Sequence, residues 1–179
     1  QRKSPVHVVG VLPMAENAIG AKAVKPQALL TSLQGLTVEV GNTDAEGRLV
    51  MADAMTWAVR TYSPLCVIDI ATLTGSCISA LGEQTAGLFH NSAGKRWART
   101  LRRSGHAVGE AVWPLPILEE HRQGMLGQQA DLTNDGPNTG GGASQAAAFL
   151  EHFVPSTVPW VHLDIAGPGM LSKPHGYLP

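Results

Sequence analysis

Cysteine is scarce in this sequence: Cys66 and Cys77 are the only two, and they are too far apart to form a CxxC pair. Neither a disulfide framework nor a cysteine-built zinc knuckle is expected. Cytoplasm is the predicted setting, with an organelle as the alternative. Long apolar runs are also missing, and no stretch approaches the roughly 20 residues that span a bilayer. The opening Gln1-Arg2-Lys3-Ser4-Pro5 leads into an apolar run too short and too Val-rich for a secretory leader. Neither sign of charge dominates. Thirteen Lys and Arg against 14 Asp and Glu leave a net charge of −1, which predicts neither a nucleic-acid nor a membrane partner. None of the seven histidines falls in HExxH, no serine sits in a GxSxG elbow, and no GK[ST] follows Thr139-Gly140-Gly141-Gly142. These absences remove zincin, serine-hydrolase and P-loop chemistry.

What is present suits one globular domain. Over 179 residues, 44% are apolar and 15% charged, enough to build a real core. Three near-continuous apolar runs predict interior strands at residues 7–12, 66–71 and 160–165. Weaker strand patterns occupy residues 36–40 and 85–90. Helical periodicity predicts a mostly buried helix over 47–61, whose narrow polar stripe of Asp53, Thr56 and Arg60 shares one face. A second helix, over 92–104, carries Lys95, Arg96, Arg99, Arg102 and Arg103 and reads as a solvated basic face. A third, over 143–153, is Ala-rich. Strands alternating with helices predict an α/β fold with a mixed, largely parallel sheet flanked by helices. Asp69 and Asp164, set inside apolar strands, read as hydrogen-bonded core acids. The chain opens almost directly on an apolar run and stops at Gly176-Tyr177-Leu178-Pro179 with no closing helix, which reads as a partial domain.

The segment richest in chemistry is Asn42-Thr43-Asp44-Ala45-Glu46-Gly47-Arg48-Leu49, between a strand and the first helix. Two physical readings stand side by side. Thr43-Asp44-Ala45-Glu46 fits a capping box, in which Thr43 caps the helix and Glu46 reaches back. Alternatively, on an extended segment Asp44 and Glu46 project to the same side, and two adjacent carboxylates call for a cation between them. Hard oxygen ligands suit Mg, Mn or Zn, and Arg48 could hold an anion nearby.

These eight residues resemble the signature octapeptide of the leucine aminopeptidase (cytosol aminopeptidase) family. Further segments are similar to the family in order and spacing: Ala71-Thr72-Leu73-Thr74-Gly75, Val112-Trp113-Pro114-Leu115-Pro116, Ala130-Asp131, Ala146-Ala147-Ala148-Phe149-Leu150 and His162-Leu163-Asp164-Ile165-Ala166-Gly167. The resemblance covers essentially the whole chain and implies that residues 1–179 are a partial C-terminal catalytic domain. It implies a two-metal aminopeptidase that releases N-terminal residues, typically leucine or other apolar ones, from peptides. Asp44 is then a ligand of one metal, Glu46 bridges two divalent ions (Zn, Mn or Mg), and Arg48 is catalytic and holds bicarbonate. The backbone of Thr72 and Leu73 holds the substrate main chain, while Gly75 and Ala166 line the first side-chain pocket. A hexamer is also implied.

The resemblance places the remaining ligands, a lysine and two aspartates, and a second catalytic lysine in glycine-rich segments upstream of the octapeptide, which this sequence does not contain. The chain alone is therefore expected to be inactive. Three local departures stand out: Gln27-Ala28 where the family commonly has Gly-Asp, Leu36 where lysine is common, and Thr139-Gly140-Gly141-Gly142 where an arginine is frequent. The alternative reading is an inactive family paralogue kept as a structural or scaffolding component.

Overall fold

The computed structural model describes residues 5–16 and 18–170. The opening residues 1–4 and residues 176–179 lie outside the described residues. The elements run β1 Leu29–Thr31, β2 Thr37–Glu39, α1 Glu46–Tyr62, β3 Val67–Ala71, α2 Gly75–Leu81, β4 Ala86–His90, α3 Lys95–Val108, β5 Val112–Pro114, α4 Glu119–Gln123, β6 Leu132–Thr133, α5 Gly142–Glu151, β7 Trp160–Asp164 and α6 Ala166–Gly169. They form an α/β fold with two sheets in place of one, a three-stranded sheet ordered β1-β2-β6 and a four-stranded sheet ordered β3-β7-β4-β5. Pairing is mixed and mostly parallel. β2–β6, β3–β7 and β4–β5 are parallel, whereas β1–β2 and β4–β7 are antiparallel.

The period-2 geometry of β4 and β7 sorts their side chains onto two covered faces. Phe89 and Trp160 join the main core with Phe149, Leu150 and Phe153, and that core also takes in Val38 and Leu132 of the smaller sheet. Leu88 and Val161 face the other way, against Ala98 and Leu101 of α3. Residues 143–150 of α5 are all buried, so this Ala-rich helix works as a thin central spacer that both sheets can approach. Strand β7 carries two ionisable groups into this interior. Asp69 of β3 serves one of them, bonding His162 Nδ1, and also accepts from Trp160 Nε1 at 2.6 Å.

Several expectations need correction. Residues 7–12 do not form a strand: Val8 and Leu12 are 79% and 83% exposed, and no described strand lies beside them to receive their backbone groups. β3 is a strand but is not covered on both faces, since it is an edge and Ile70 is 58% exposed. α1 is buried along a stripe through Arg48, Ala52, Met55 and Thr56, while Trp57 stays half-exposed, because α5 and the edge of the small sheet cover only one side of it. Its polar stripe is exposed at Asp53 and Arg60 and buried at Thr56. Asp53 Oδ1 accepts from Leu33 N at 2.7 Å and Arg60 donates to Leu33 O at 2.9 Å, so the stripe clasps the β1–β2 turn. The short elements β1, β5, β6, α2, α4 and α6 leave too little periodicity to be read from sequence.

Candidate metal and substrate site

The octapeptide occupies the turn between β2 and α1. Helix α1 begins at Glu46, and its N-cap is Ala45, with no side-chain hydrogen bond capping it. The capping box of Thr43 and Glu46 is therefore not formed. The extended geometry does not hold either: Asp44 lies in a turn, closed by its own N–H donating to Asn42 Oδ1 at 2.9 Å, and Glu46 is already helical. Both acids sit where the helix N-terminus favours negative charge. Among the described residues neither carboxylate is engaged in a hydrogen bond or ion pair.

The loop is held from below by a residue the sequence reading missed. Asn134, fully buried just after β6, donates through Nδ2 to Asn42 O at 2.7 Å and Ala45 O at 3.2 Å. Its Oδ1 accepts from Gly41 N at 2.9 Å and Asn42 N at 3.2 Å. Both donors and both acceptor positions of the amide are thereby used. Nothing in the run Asp131-Leu132-Thr133-Asn134-Asp135-Gly136-Pro137 marks Asn134 out, since such composition reads as loop.

Arg48, in the first turn of α1, is 9% exposed, and its Nε is buried with no hydrogen-bond partner. Burial pushes the guanidinium below the ordinary arginine value, against the opposing pull of Asp135, Asp164 and Glu46. A buried donor without a partner typically costs about 1–3 kcal/mol, and more when it is charged. An anion seated beside Arg48 would satisfy it.

The loop after β3 approaches the same place. A Cβ on Gly47 would stand 3.8 Å from Leu73 Cδ1, so the octapeptide and the loop containing Thr72, Leu73 and Gly75 are neighbours. Asp164, fully buried at the end of β7, organises this loop. It accepts from Leu73 N at 3.2 Å, Thr74 Oγ1 at 2.6 Å and Ala166 N at 3.1 Å. Thr74 in turn caps α2 by accepting from Cys77 N at 3.1 Å. Asp164 is thus a hydrogen-bonded core acid, as its setting in an apolar strand predicts, and it also ties the Leu73-Thr74 loop to the turn at Ala166. Thr72 and Gly75 are exposed, and a Cβ on Gly75 would meet nothing within 4 Å. Ala166 is buried and offers no free surface in this chain.

The donor set fits part of a hard-cation site. Asp44 and Glu46 supply uncommitted carboxylate oxygens, but among the described residues no three His, Cys, Asp or Glu side chains converge as a metal cage. No helix of the described residues is long and apolar enough to cross a membrane.

A sequence model described as the cytosol aminopeptidase family, catalytic domain, matches residues 1–177. The chain belongs to the cytosol aminopeptidase family. It is 45% identical over 179 residues to a probable cytosol aminopeptidase of Nitratidesulfovibrio vulgaris, covering 100% of this chain and 35% of that protein. It is 47% identical over 169 residues to a probable cytosol aminopeptidase of Chlorobaculum parvum, covering 94% of this chain and 33% of that one. The chain thus spans about a third of the length of the curated relatives it matches. Among solved structures, a tomato leucine aminopeptidase mutant superposes with a TM-score of 0.82 at 41% identity, over 88% of this chain and 30% of that chain. The bottromycin maturation enzyme BotP in complex with Mn follows at TM-score 0.79 and 36% identity, over 86% of this chain and 33% of that chain. Family membership agrees with the mixed α/β architecture seen here.

Proposed function

We propose that the full-length protein is a two-metal aminopeptidase that releases N-terminal residues, leucine and other apolar ones foremost, from peptides in the cytosol. The observation that carries this reading is the pairing of two uncommitted carboxylates, Asp44 and Glu46, with a buried Arg48 whose Nε has no partner. Asp44 and Glu46 would hold divalent ions, and the Mn bound by BotP favours Mn among Zn, Mn and Mg. Bound there, such ions supply Lewis acidity to the scissile carbonyl and lower the pKa of water.

The chain's own residues do the rest. Arg48 seats an anion, bicarbonate in this reading, and its buried charge makes that anion's position well defined. Asp164 holds the backbone at Leu73 and Thr74, so the loop presents its remaining groups to a peptide main chain without reorganising. Gly75, with open space where a side chain would stand, leaves room for the first residue of the peptide. Ala166, tied to the same Asp164, backs that wall from inside the fold. Assembly as a hexamer belongs to the same reading.

Hydrolysis of a leucyl amide by the full-length protein, with and without added manganese, tests the proposal. Turnover should vanish with a chelator and fall at least about 100-fold in Glu46→Ala. A folded, metal-supplied protein with no turnover would instead identify an inactive paralogue with a scaffolding role.

A further inference from the structure

Five of the chain's 13 Lys and Arg residues lie on α3, which contains no acid at all. For a chain of net charge −1 this is a strong local asymmetry. It also works against the helix. Lys95 and Arg96 occupy the first turn, where the macrodipole disfavours cations, and Arg99 and Arg103 are like charges four residues apart. The ion pairs among the described residues are Arg122–Glu119, Arg122–Glu151 and His162–Asp69, so none neutralises an α3 side chain.

The apolar side of α3, at Ala98 and Leu101, packs on β4, β7 and Val112 of β5, and the basic side lies beyond that contact, beside Trp113. The cations there do not spread over a convex face. Arg99, Arg102, Arg103 and His106 line a groove of about 620 Å³ whose opposite wall includes Thr85 and Trp113. No carboxylate lines it, and Glu110, in the turn between α3 and β5, is not among its walls. Arg102 lies over the Trp113 ring at 4.7 Å from its centroid, so one guanidinium is already held in place, and the cost of ordering it for a ligand is largely removed.

We propose that the groove between α3 and β5 is a binding site for a small phosphate-bearing anion, separate from the octapeptide site. Three arginines along one wall of the groove leave a single carboxylate far short of neutrality. A phosphate carries about −1.5 to −2 charges, and its oxygens match the planar two-donor fork of arginine.

Titration calorimetry on the full-length protein tests this, using inorganic pyrophosphate in one arm and a nucleoside triphosphate in the other. Saturable binding of either is expected. Pyrophosphate alone would indicate a free inorganic ligand, and clearly tighter binding of the nucleotide would indicate an organic phosphate that also uses Trp113. Arg99→Gln with Arg103→Gln should weaken binding about tenfold. Lys95→Gln with Arg96→Gln removes the same charge from the same helix outside the groove, and should change affinity less than about twofold. All four positions are exposed, and melting curves verify that both pairs fold. Absent or non-saturating binding, equal losses in both pairs, or binding untouched by either pair would overturn the proposal.

Discussion

Gln27 holds its backbone at φ 66°, in the left-handed region that glycine adopts freely and other residues enter at about 1–2 kcal/mol. Its neighbours explain why it is held there. Ala28 N donates to Lys25 O at 3.1 Å, closing a turn with Pro26 at the second position, and Gln27 N donates to Val40 O at 2.7 Å. Such a turn asks for glycine after the proline, and glycine is what the family commonly has there. With the Gln27 side chain exposed, Gln27→Gly should raise stability by roughly 0.5–1 kcal/mol, after allowing for the extra freedom glycine gives the unfolded chain. A urea melt reads this as a higher midpoint at unchanged slope, and a lower midpoint would refute it. At this scale much was legible in the sequence. Asp44, Glu46 and Arg48 stand out by pattern, and a carboxylate inside an apolar strand must be hydrogen-bonded, as Asp69 and Asp164 are. Their partners were not legible, because Leu73 and Thr74 lie about ninety positions from Asp164.

Among the elements, the shortest one has the largest effect on the candidate site. β6 has two residues, yet its register with β2 places Asn134 directly under the octapeptide. Asn134→Ala would remove the acceptor of the Gly41 and Asn42 N–H groups and one donor to the Ala45 carbonyl, while Asn42 O keeps its bond from Ala45 N, so a loss of about 1–3 kcal/mol is expected. Amide exchange should speed up first at Gly41 and Asn42, whose N–H groups Asn134 accepts. Unchanged protection there would show that the loop is held by other contacts. Most longer elements followed their periodicity: α1 and α5 lie within a residue or two of their expected spans, and β4 and β7 where apolar runs place them, whereas α3, expected over 92–104, runs Lys95–Val108. The stripe of Asp53, Thr56 and Arg60 was legible as one face of α1. That it clasps the turn at Leu33 was not, because the turn reaches it only after β1 and β2 pair.

The molecule as a whole exposes an apolar margin along β3. Among the described residues this strand pairs with β7 on one side and with no strand on the other, with Leu65 82% exposed before it and Ile68 and Ile70 projecting from it, while Trp57 and Tyr62 of α1 stack edge-to-face and stay half-exposed. An open, apolar strand edge recruits other strands. The 179-residue chain produced alone should therefore associate with rising concentration in sedimentation experiments. Ile68→Lys with Ile70→Lys should shift it towards monomer, and equal association in that variant would place the contact elsewhere. The sequence by itself determined the family, the mixed α/β class, the longer helices and strands and the carboxylate-arginine cluster, because each depends on local periodicity or on a contiguous run of residues. Only the tertiary structure decided that the octapeptide starts a helix with no side-chain cap, that Asn134 and Asp164 hold the candidate loops, and that the arginines of α3 line a groove. Those outcomes depend on groups distant in the chain meeting at fixed distances, which the pairing of strands and the packing of α3 and α5 impose.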